Sequence, residues 1–576
     1  MADPREVLAD RVQMALSAAV GAGYASADPL IRPSSFADYQ SNVALPLGKQ
    51  LGRPPRELAA EIASQLDLTD VFDRVEVSGP GFINLTLRDG WIAGQATAAL
   101  ADPRLGVPLA DPRQKVVVDY SSPNVVKEMH VGHLRTTVVG DAVVRTLEYL
   151  GNTVVRANHL GDWGTQFGML IEHLLEVGEQ AAREQLSAGE INAFYQAARA
   201  RFDSDPAFAD RSRQRVVALQ GGDPATIRLW QLLVADSNQY YNTIYQRLGV
   251  TLTDADLAPE SFYNPMLADV SAELEAAGIA VISDGALCAF PPGFTGRDGE
   301  PLPMILRKRD GGYGYDTTDL AAIRYRIVDL KADRLIYLVA AEQSLHFQML
   351  FAVARQAGWL TDGISAEHAV IGLVSGADGK RLRTRSGEQV KLITLIDEAV
   401  ERAARVIEDR YQDPALRAEI ADAVGIGALK YGDLSVARSS GYVFDFDRML
   451  ALTGNTGPYL QYATARIRSI FRRAGLDPAA ADGPVLLTEP AERALALALL
   501  GFGTAVSQAA DTAEPHVLAA YLFDVASAFT AFYEACPVLK APDPQVRDSR
   551  LGLSSLALRV LLTGLGLLGI PVPERM

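Results

Sequence analysis

The sequence predicts a multidomain α/β protein built around a parallel β-sheet. Two apolar runs, KVVVDY at 115–120 and TVVRANH at 153–159, have the composition of buried strands, and a segment of helical periodicity separates them. A short glycine-containing loop follows each run, which gives the strand–loop–helix–strand order of a parallel sheet. The 576 residues are enough for about three or four domains of about 150 residues each. From about residue 392 the pattern is helical, so an all-α domain is expected to end the chain.

The chain divides into regions by periodicity and composition. Residues 1–110 predict a small α+β domain that ends in a proline-rich linker. Residues 111–390 predict the parallel-sheet domain, with an insertion at about 180–330 between its two halves. Its second half contains the strand RLIYLVA, the helix HFQMLFAVARQAG and the strand HAVIGLV. Residues 391–445 predict a helical stem, and residues 446–576 predict the all-α domain.

Composition narrows the class of protein. Two cysteines, Cys288 and Cys536, provide no disulfide framework and no zinc site, so a reducing, cytoplasmic setting is expected. The N-terminus lacks the apolar stretch of a signal peptide. The apolar tract at 551–572 is interrupted by Arg559, which predicts a buried helix rather than a membrane span.

The net charge of −16 argues only weakly against a nucleic-acid partner. Phosphate binding needs a local basic surface, and a basic total is not required. Two basic segments are present, KRLRTR at 380–385 and PYLQYATARIRSIFRR at 458–473.

The motif HVGH places His130 and His133 where the first predicted strand turns into a helix. Both imidazoles can face a phosphate group that rests on the helix N-terminus, and Gly132 leaves room for a base or a ribose. There they can stabilise charge on a pentavalent phosphorus as pyrophosphate leaves. The alternative is a pair of capping or metal-binding histidines. The sequence contains neither GxxxxGK[ST] nor a GxGxxG that opens a βαβ unit, which favours nucleotidyl transfer at HVGH.

A second cationic element follows the strand HAVIGLV. Its side chains can close over triphosphate oxygens, although a solvated surface loop remains the alternative. The cations proposed to bind ATP in this loop are Lys380, Arg381, Arg383 and Arg385.

Four segments together resemble the bacterial arginyl-tRNA synthetases, which are class I aminoacyl-tRNA synthetases. These segments are SSPNVVKEMHVGHLRTT, NHLGDWGTQFG, GGYGYDTTD and DGKRLRTRSG. The resemblance covers essentially the whole chain. It implies a class I Rossmann-type catalytic domain with an insertion, a small α+β N-terminal tRNA-binding domain and an all-α anticodon-binding domain. It also implies that the chain activates L-arginine with ATP, accompanied by Mg²⁺, and transfers the arginine to tRNA(Arg).

The resemblance also assigns catalytic residues. HVGH matches the family's HIGH signature, so His130 and His133 are expected to stabilise the transition state. KRLRTR stands in place of KMSKS, but Thr384 occupies the position of the second lysine. Lys127, three residues before His130, is expected to supply the missing cation, and a solvated lysine is the alternative.

Recognition of arginine needs carboxylates and oriented acceptors, because a guanidinium is planar and always charged. The resemblance implies an arginine pocket in which an aspartate stands where some relatives carry glutamate, and the acids can alternatively be helix caps. The expected arginine-binding residues are Asp119, Ser121, Asn124, His133, Tyr315, Asp319 and Gln343.

Two outer regions imply contacts with tRNA. In GFINL an aromatic and an amide lie two residues apart, which suits stacking on an unpaired base, although a core aromatic is equally consistent. The helix from Pro458 has an apolar stripe bordered by arginines, typical of a bundle helix that touches phosphates or leaves its arginines in solvent. The expected tRNA-binding residues are Phe82, Asn84, Asn455, Tyr459, Gln461 and Arg466.

Other possible functions would require different sets of residues. A cysteinyl-tRNA synthetase needs a zinc thiolate site, which two distant cysteines cannot build. A catalytically silent tRNA-binding paralogue would not need HVGH, Lys127 and Asp319, and a small nucleotidyltransferase would act without tRNA. The sequence therefore predicts a monomeric cytoplasmic enzyme with no resident metal, no zinc, no organic prosthetic group and no membrane partner.

Overall fold

The structure of the chain is a computed structural model that describes residues 3–164, 166–187, 190–296, 299–380, 382, 390–408 and 410–576. The fold class predicted from the sequence is confirmed: a parallel-sheet domain stands between a small α+β domain and a helical domain.

The N-terminal domain packs helices on a four-stranded antiparallel sheet of order β1-β2-β4-β3. Its elements, with the helix that follows, are α1 (Pro4–Val20), β1 (Ile31–Pro33), β2 (Tyr39–Ser41), α2 (Ala44–Leu51), α3 (Pro55–Ser64), β3 (Phe72–Ser78), β4 (Phe82–Leu87) and α4 (Asp89–Ala101). The turn between β3 and β4 needs glycine: Gly81 has a φ of +142°, and a Cβ there would lie 2.8 Å from the carbonyl oxygen of Pro55. This close approach seats the hairpin on the start of α3.

The central domain contains the predicted parallel sheet, in the strand order β11-β10-β5-β6. Its strands and flanking helices are β5 (Lys115–Asp119), α5 (Val131–Tyr149), β6 (Thr153–Ala157), β10 (Arg334–Tyr337), α13 (Ser344–Gln356) and β11 (Ser365–His368). Asp119 is in register with Ala157 on one side and with Tyr337 on the other. The two halves of the sheet therefore meet between β5 and β10, the switch point where such sheets bind ligands.

The insertion has a helical part and a small sheet part. The helices are α6 (Gln166–Val177), α7 (Glu179–Ser187), α8 (Ile191–Ser204), α9 (Pro206–Gln220), α10 (Pro224–Leu248) and α11 (Leu267–Ala276). The strands β7 (Ala280–Ser283), β8 (Ala286–Ala289) and β9 (Met304–Arg307) form an antiparallel sheet, and α12 (Tyr315–Arg324) returns the chain to β10.

The expectation of one continuous strand HAVIGLV is wrong. β11 ends at His368, and after a break β12 (Val374–Ser375) pairs instead with β13 (Tyr442–Val443), far along the chain. Gly372 lies within the break, and a Cβ there would lie 2.5 Å from the carbonyl oxygen of Ser440. The close approach of the 437–443 segment therefore draws this strand away from the main sheet. β13 also interrupts a region that the sequence predicted to be entirely helical.

The C-terminal part is otherwise helical. Its helices are α14 (Leu392–Ile407), α15 (Pro414–Leu434), α16 (Phe446–Met449), α17 (Gly457–Ala474), α18 (Pro490–Leu499), α19 (Phe502–Asp511), α20 (Pro515–Ala535) and α21 (Pro544–Leu567). By length and composition alone, three stretches here could cross a membrane: 490–511, 515–535 and 544–567. In the structure these helices pack on one another, and the predicted burial of the last one is confirmed by Leu553 and Leu561, both 0% exposed.

Two arginines of the C-terminal helices bind the N-terminal domain and the helix that follows it. The guanidinium of Arg493 in α18 lies 2.7 Å from Asp38 and 2.6 Å from Asp89. Arg559, the residue that interrupts the apolar tract, donates to the carbonyl oxygens of Leu100 and Asp102 at 2.6 and 2.5 Å. The N-terminal domain is therefore anchored on the C-terminal helices.

One fully buried ion pair joins the central domain to the stem. Arg135, in the second turn of α5, lies 2.8 Å from Asp433 in α15, and both side chains are 0% exposed. Arg135 also donates to the carbonyl oxygens of Ser440 and Ala437 at 2.5 and 3.0 Å.

Removal of one partner should be costly, because it leaves the other charge buried and uncompensated. We expect Arg135→Met to lower the free energy of unfolding of the central domain by about 3–5 kcal/mol, as measured by urea denaturation. The exposed pair Arg74–Glu76, with side chains 57% and 56% exposed, is the control. Arg74→Met should cost less than about 1 kcal/mol, and equal losses for the two variants would contradict the assignment.

Candidate active site

The HVGH motif forms the N-terminal cap of α5. The Nδ1 atom of His130 accepts a hydrogen bond from the backbone N–H of Gly132 at 3.1 Å, and the N–H of His130 donates to Nδ1 of His133 at 3.1 Å. An accepting ring nitrogen carries no proton, so a neutral imidazole in either position has its proton on Nε2. The capping alternative is therefore correct as geometry, and it also fixes both rings to offer an Nε2–H donor. The ring centroids are 4.0 Å apart.

The environment keeps His133 neutral. Burial, then the charges of His130 and Lys127, lower the pKa of His133 to about 3. A neutral imidazole with a fixed Nε2–H can donate to a phosphate oxygen, while the helix N-terminus adds a favourable field. Gly132 has a more local role than expected: a Cβ there would lie 2.9 Å from Cε1 of His130. The glycine leaves space for the His130 ring.

Lys127 lies beside these rings, in a cavity of about 300 Å³. The cavity is lined by Asn124, Lys127, Glu128, Met129, His130, His133, Asn192 and Lys391. The hydroxyl of Tyr241 holds the loop by donating to the carbonyl oxygens of Asn124 and Lys127 at 2.6 and 3.0 Å. Val126 has a φ of +59°, a conformation that costs free energy and persists where its surroundings enforce it.

A second cavity, of about 360 Å³, lies on the other side of the histidines and is mainly apolar. Its walls are the start of α5, the segment 338–342 after β10 and the segment 371–374 before the cationic loop. Ser121 and Ser122 also line it. Its position at the carboxyl ends of β5 and β10 suits an adenosine.

The predicted arginine-binding residues surround a third cavity, also of about 360 Å³. It contains Asp119, Asn124, Tyr315, Asp319 and Gln343 from the prediction, whereas His133 and Ser121 are outside its lining. Tyr315 and Asp319 share a face because the segment is helical, as α12. Tyr315 is 68% exposed, at the cavity mouth.

Asp119 has an internal partner that the sequence did not reveal. Its carboxylate lies 2.7 Å from Nη2 of Arg326, and it accepts from Oγ of Ser122 at 3.0 Å. Arg326 is 2% exposed. Asp119 is therefore already charge-compensated, and Arg326 constrains which of its oxygens can face a ligand.

Asp319 is the more accessible acid, with 26% of its side chain exposed. Nε2 of His346 lies 2.6 Å from Asp319, and Nδ1 of the same ring lies 3.3 Å from Asp316. Burial disfavours the imidazolium, but the hydrogen bonds with Asp316 and Asp319 outweigh it and raise the pKa of His346 to about 9. His346 is thus a cation at neutral pH that pairs with Asp319.

Glu260 is a further acid of this cavity that sequence analysis missed. It begins a turn in the insertion, and only a Pro-Glu pair marks the position in the sequence. Burial, then the charges of Asp319 and Asp162, raise the pKa of Glu260 to about 8. The carboxyl is therefore protonated at neutral pH when no cation is bound.

The cationic loop is described only in part. Lys380 is exposed in a turn in which its carbonyl oxygen accepts from the N–H of Gly376 at 2.8 Å. Arg381, Arg383 and Arg385 lie outside the described residues. The loop returns at Val390 and Lys391, where Val390 accepts from the N–H of Val131 at 3.2 Å.

The predicted tRNA-binding residues differ in how exposed they are. Phe82 is half-buried, and Arg466 is partly exposed with its guanidinium 4.9 Å from the Tyr462 ring centroid. Asn455 is exposed, and its Oδ1 accepts from the hydroxyl of Tyr431 at 2.5 Å. Tyr459 is partly buried, with its hydroxyl 3.3 Å from Oγ1 of Thr530.

Two of these residues are occupied within the protein. Gln461 is 0% exposed, and its amide donates to the carbonyl oxygens of Ala423 and Pro571. Asn84 is 6% exposed, and its amide donates to Oγ of Ser78 at 2.8 Å. Burial leaves neither amide accessible to a base, contrary to the expectation, and both side chains hydrogen-bond packed segments of the protein.

In the part of the chain that the structure describes, no group of three or more His, Cys, Asp or Glu side chains could hold a metal ion. Cys288 and Cys536 are both buried and free.

Comparison with known proteins places the chain in one family. A family model for the class I (R) tRNA synthetase catalytic domain matches residues 95–446, an arginyl-tRNA synthetase N-terminal domain model matches 6–87, and a DALR anticodon-binding domain model matches 460–576. An arginine–tRNA ligase of Thermobifida fusca is 62% identical, and one of Edwardsiella ictaluri is 48% identical. These matches cover 100% and 99% of this chain, and 100% of each relative.

Solved structures support the same family assignment. The arginyl-tRNA synthetase of Plasmodium falciparum aligns with a TM-score of 0.85 at 29% identity over 99% of both chains. That of Thermus thermophilus aligns with a TM-score of 0.79 at 26% identity over 100% of both chains. With HVGH capping a helix at the switch point of a parallel sheet, the chain belongs to the arginyl-tRNA synthetases, class I ligases that activate L-arginine with ATP and transfer it to tRNA(Arg).

Proposed function

We propose that L-arginine is activated where the three cavities converge on the HVGH turn. Ser122 lines both the second, apolar cavity and the third cavity, which contains Asp119 and Asp319 and is called the acidic cavity below. Asn124 lines both the acidic cavity and the cavity beside Lys127. Adenosine, the guanidinium and the phosphates each have a chemically suitable cavity, and the three adjoin. This convergence is the observation that carries the proposal.

The reaction needs positioning and charge stabilisation more than proton transfer. A carboxylate oxygen of arginine bonds to the α-phosphorus of ATP, the bond to the bridging oxygen breaks, and pyrophosphate leaves. Nε2–H of His130 and of His133 donate to the phosphoryl oxygens as negative charge accumulates. Mg²⁺ enters with ATP as part of the substrate. The ribose hydroxyl oxygen at the 3′ end of tRNA(Arg) then bonds to the carbonyl carbon of arginyl-adenylate, the bond from that carbon to the phosphate oxygen breaks, and AMP leaves as the hydroxyl loses its proton.

Lys127 provides the fixed cation of the phosphate site. Its ammonium shares a cavity with both histidines, and its charge contributes to the low pKa of His133. Thr384 stands where related loops carry a lysine. Lys380 and the arginines at 381, 383 and 385 complete the cationic loop in this proposal.

Arginine specificity comes from the carboxylates of the third cavity. Asp319 and Glu260 face the guanidinium, Asp119 acts with Arg326, and Asn124, Tyr315 and Gln343 orient the rest of the substrate. A ligand without a guanidinium leaves these buried groups unpaired, which gives strong discrimination.

The proposed tRNA contacts are the partly or fully exposed residues Phe82, Asn455, Tyr459 and Arg466. The proposal includes a monomer, which sedimentation at several concentrations tests. It also includes a cytoplasmic location, and the free buried cysteines fit a reducing compartment.

Replacement of Lys127 should slow the chemical step. We expect Lys127→Ala to lower the ATP–pyrophosphate exchange rate at least about tenfold, which is about 1.4 kcal/mol of barrier, with little change in arginine binding. The assay is run with and without tRNA(Arg). Asp319→Asn is the matched variant and should chiefly raise the KM for arginine. A Lys127→Ala rate within about threefold of wild type would remove the lysine from the mechanism.

Arginine binding should depend on pH through Glu260. Because the pKa of this carboxyl is about 8 in the empty cavity, a bound cation favours its ionised form, and binding releases a proton. Affinity should therefore rise between about pH 6 and about pH 9 and level off above that range. Calorimetry in buffers of different ionisation enthalpy measures the released proton.

Glu260→Gln supplies the control for this titration, since an amide cannot ionise. Arginine should bind this variant more weakly and without the proton release. Equal proton release in the variant and the wild type would assign the titration to another group.

A further inference from the structure

The insertion supplies one wall of the phosphate cavity. Helix α8 carries Asn192 and Tyr195 on the side that faces the HVGH loop. The Lys127 ammonium lies 5.3 Å from the centroid of the Tyr195 ring, within the range of a cation–π contact. A segment outside the parallel sheet thus touches the proposed catalytic cation directly.

Glu128, the residue after Lys127, is the centre of a buried polar cluster. Its side chain is 2% exposed, and one oxygen lies 2.9 Å from Nζ of Lys391. The other oxygen accepts from Nδ2 of Asn192 at 2.9 Å, while Oδ1 of Asn192 accepts from the backbone N–H of Glu128 at 3.2 Å. A buried carboxylate needs such partners, because desolvation of an unpaired charge costs several kcal/mol.

This pairing determines which lysine is neutralised. Glu128 is adjacent to Lys127 in the chain, yet its carboxylate is engaged by Lys391. Across the described part of the chain, no carboxylate lies within ion-pair distance of the Lys127 ammonium. Among the described residues, the Lys127 ammonium is therefore left without a carboxylate partner.

The same cluster ties the end of the cationic loop to the histidines. Lys391 forms a β-bridge with His130, and the N–H of Leu392 donates to the carbonyl oxygen of Met129 at 2.9 Å. The ion pair with Glu128 is therefore formed only when the loop end lies against the HVGH turn.

We propose that Lys391, Asn192 and Tyr195 are positioning residues for Lys127: the first two hold the Glu128 carboxylate away from its ammonium, and the third supports that ammonium beside the phosphate site. The proposal rests on the function assigned to Lys127 above. It gives the insertion a role in arginine activation and makes the loop end a condition for an active lysine.

The test is a rescue experiment on the full-length chain. In Lys391→Met the freed Glu128 carboxylate can pair with Lys127, so ATP–pyrophosphate exchange should fall at least about tenfold and the KM for ATP should rise, while the Kd for L-arginine stays constant. Adding Glu128→Gln removes the competing charge and should restore most of the lost rate. Arg405→Met, which breaks an exposed ion pair with Glu401 in the same helix, is the control and should stay within about threefold of wild type.

Two substitutions of Tyr195 test the contact between its ring and the Lys127 ammonium. Tyr195→Phe keeps a ring beneath the ammonium and should retain the exchange rate, whereas Tyr195→Leu should lose about two- to fivefold. Thermal unfolding of the two Tyr195 variants and of the Lys391→Met, Glu128→Gln double variant, none of which leaves a buried carboxylate unpaired, should match wild type, which separates positioning from folding.

Three results would each overturn the inference or part of it. A double variant no faster than Lys391→Met would mean that Lys391 acts on the phosphates itself, and equal rates for the two Tyr195 variants would remove the ring from the account. Lys127→Ala separates this inference from the proposed function. If that variant is impaired while Lys391→Met is not, only the positioning role fails; if Lys127→Ala is unimpaired, the assigned function of the lysine fails.

Discussion

The buried pair of Arg135 and Asp433 is the constraint on which the geometry of the site depends. Both side chains are fully buried, so each charge depends on the other for compensation while the helices are packed. Arg135 also binds the carbonyl oxygens before β13, and β13 pairs with β12, where the cationic loop begins. The loop ends on the backbone of the HVGH turn. The Arg135 guanidinium thus joins α5 to the stem and to the segment that pairs with the start of the loop, while the end of the loop contacts the HVGH turn directly.

Charge is arranged differently in the two halves of the site. In the arginine cavity, three carboxylates face one small volume, and the protein limits their repulsion with Arg326, with His346 and with a proton on Glu260. In the proposed function, a substrate guanidinium replaces part of that compensation, and its recognition is coupled to proton release. In the cavity beside Lys127 the charges are arranged in the opposite way. The Glu128 carboxylate is bound by Lys391 and Asn192, and the Lys127 ammonium is the group that we propose binds the ligand. Each cavity is therefore complementary in charge to the substrate that we propose for it.

Local patterns predicted most of the fold and part of the site. Apolar runs and helical periodicity located β5, α5, β6 and the long C-terminal helix, because these signals are local. The strand HAVIGLV was mispredicted, since a distant segment at 437–443 pairs with its end. HVGH and Lys127 were recognisable as a motif. Arg326, Glu260 and the Glu128 cluster were not, because each acts through partners that are distant in the sequence. Gln461 and Asn84 were predicted from motifs to bind tRNA, but a motif does not show that an amide is buried.

We propose that Lys127 and the two histidines of HVGH bind the phosphates while the acidic cavity holds the guanidinium. A crystal structure of the chain with ATP, Mg²⁺ and a non-reactive arginine analogue would show these contacts. Nε2 of His130, Nε2 of His133 and Nζ of Lys127 are expected within about 3.2 Å of phosphate oxygens, with Lys391 still paired to Glu128. A complex in which Lys391 contacts the phosphates while Lys127 is paired with Glu128 would overturn the proposal.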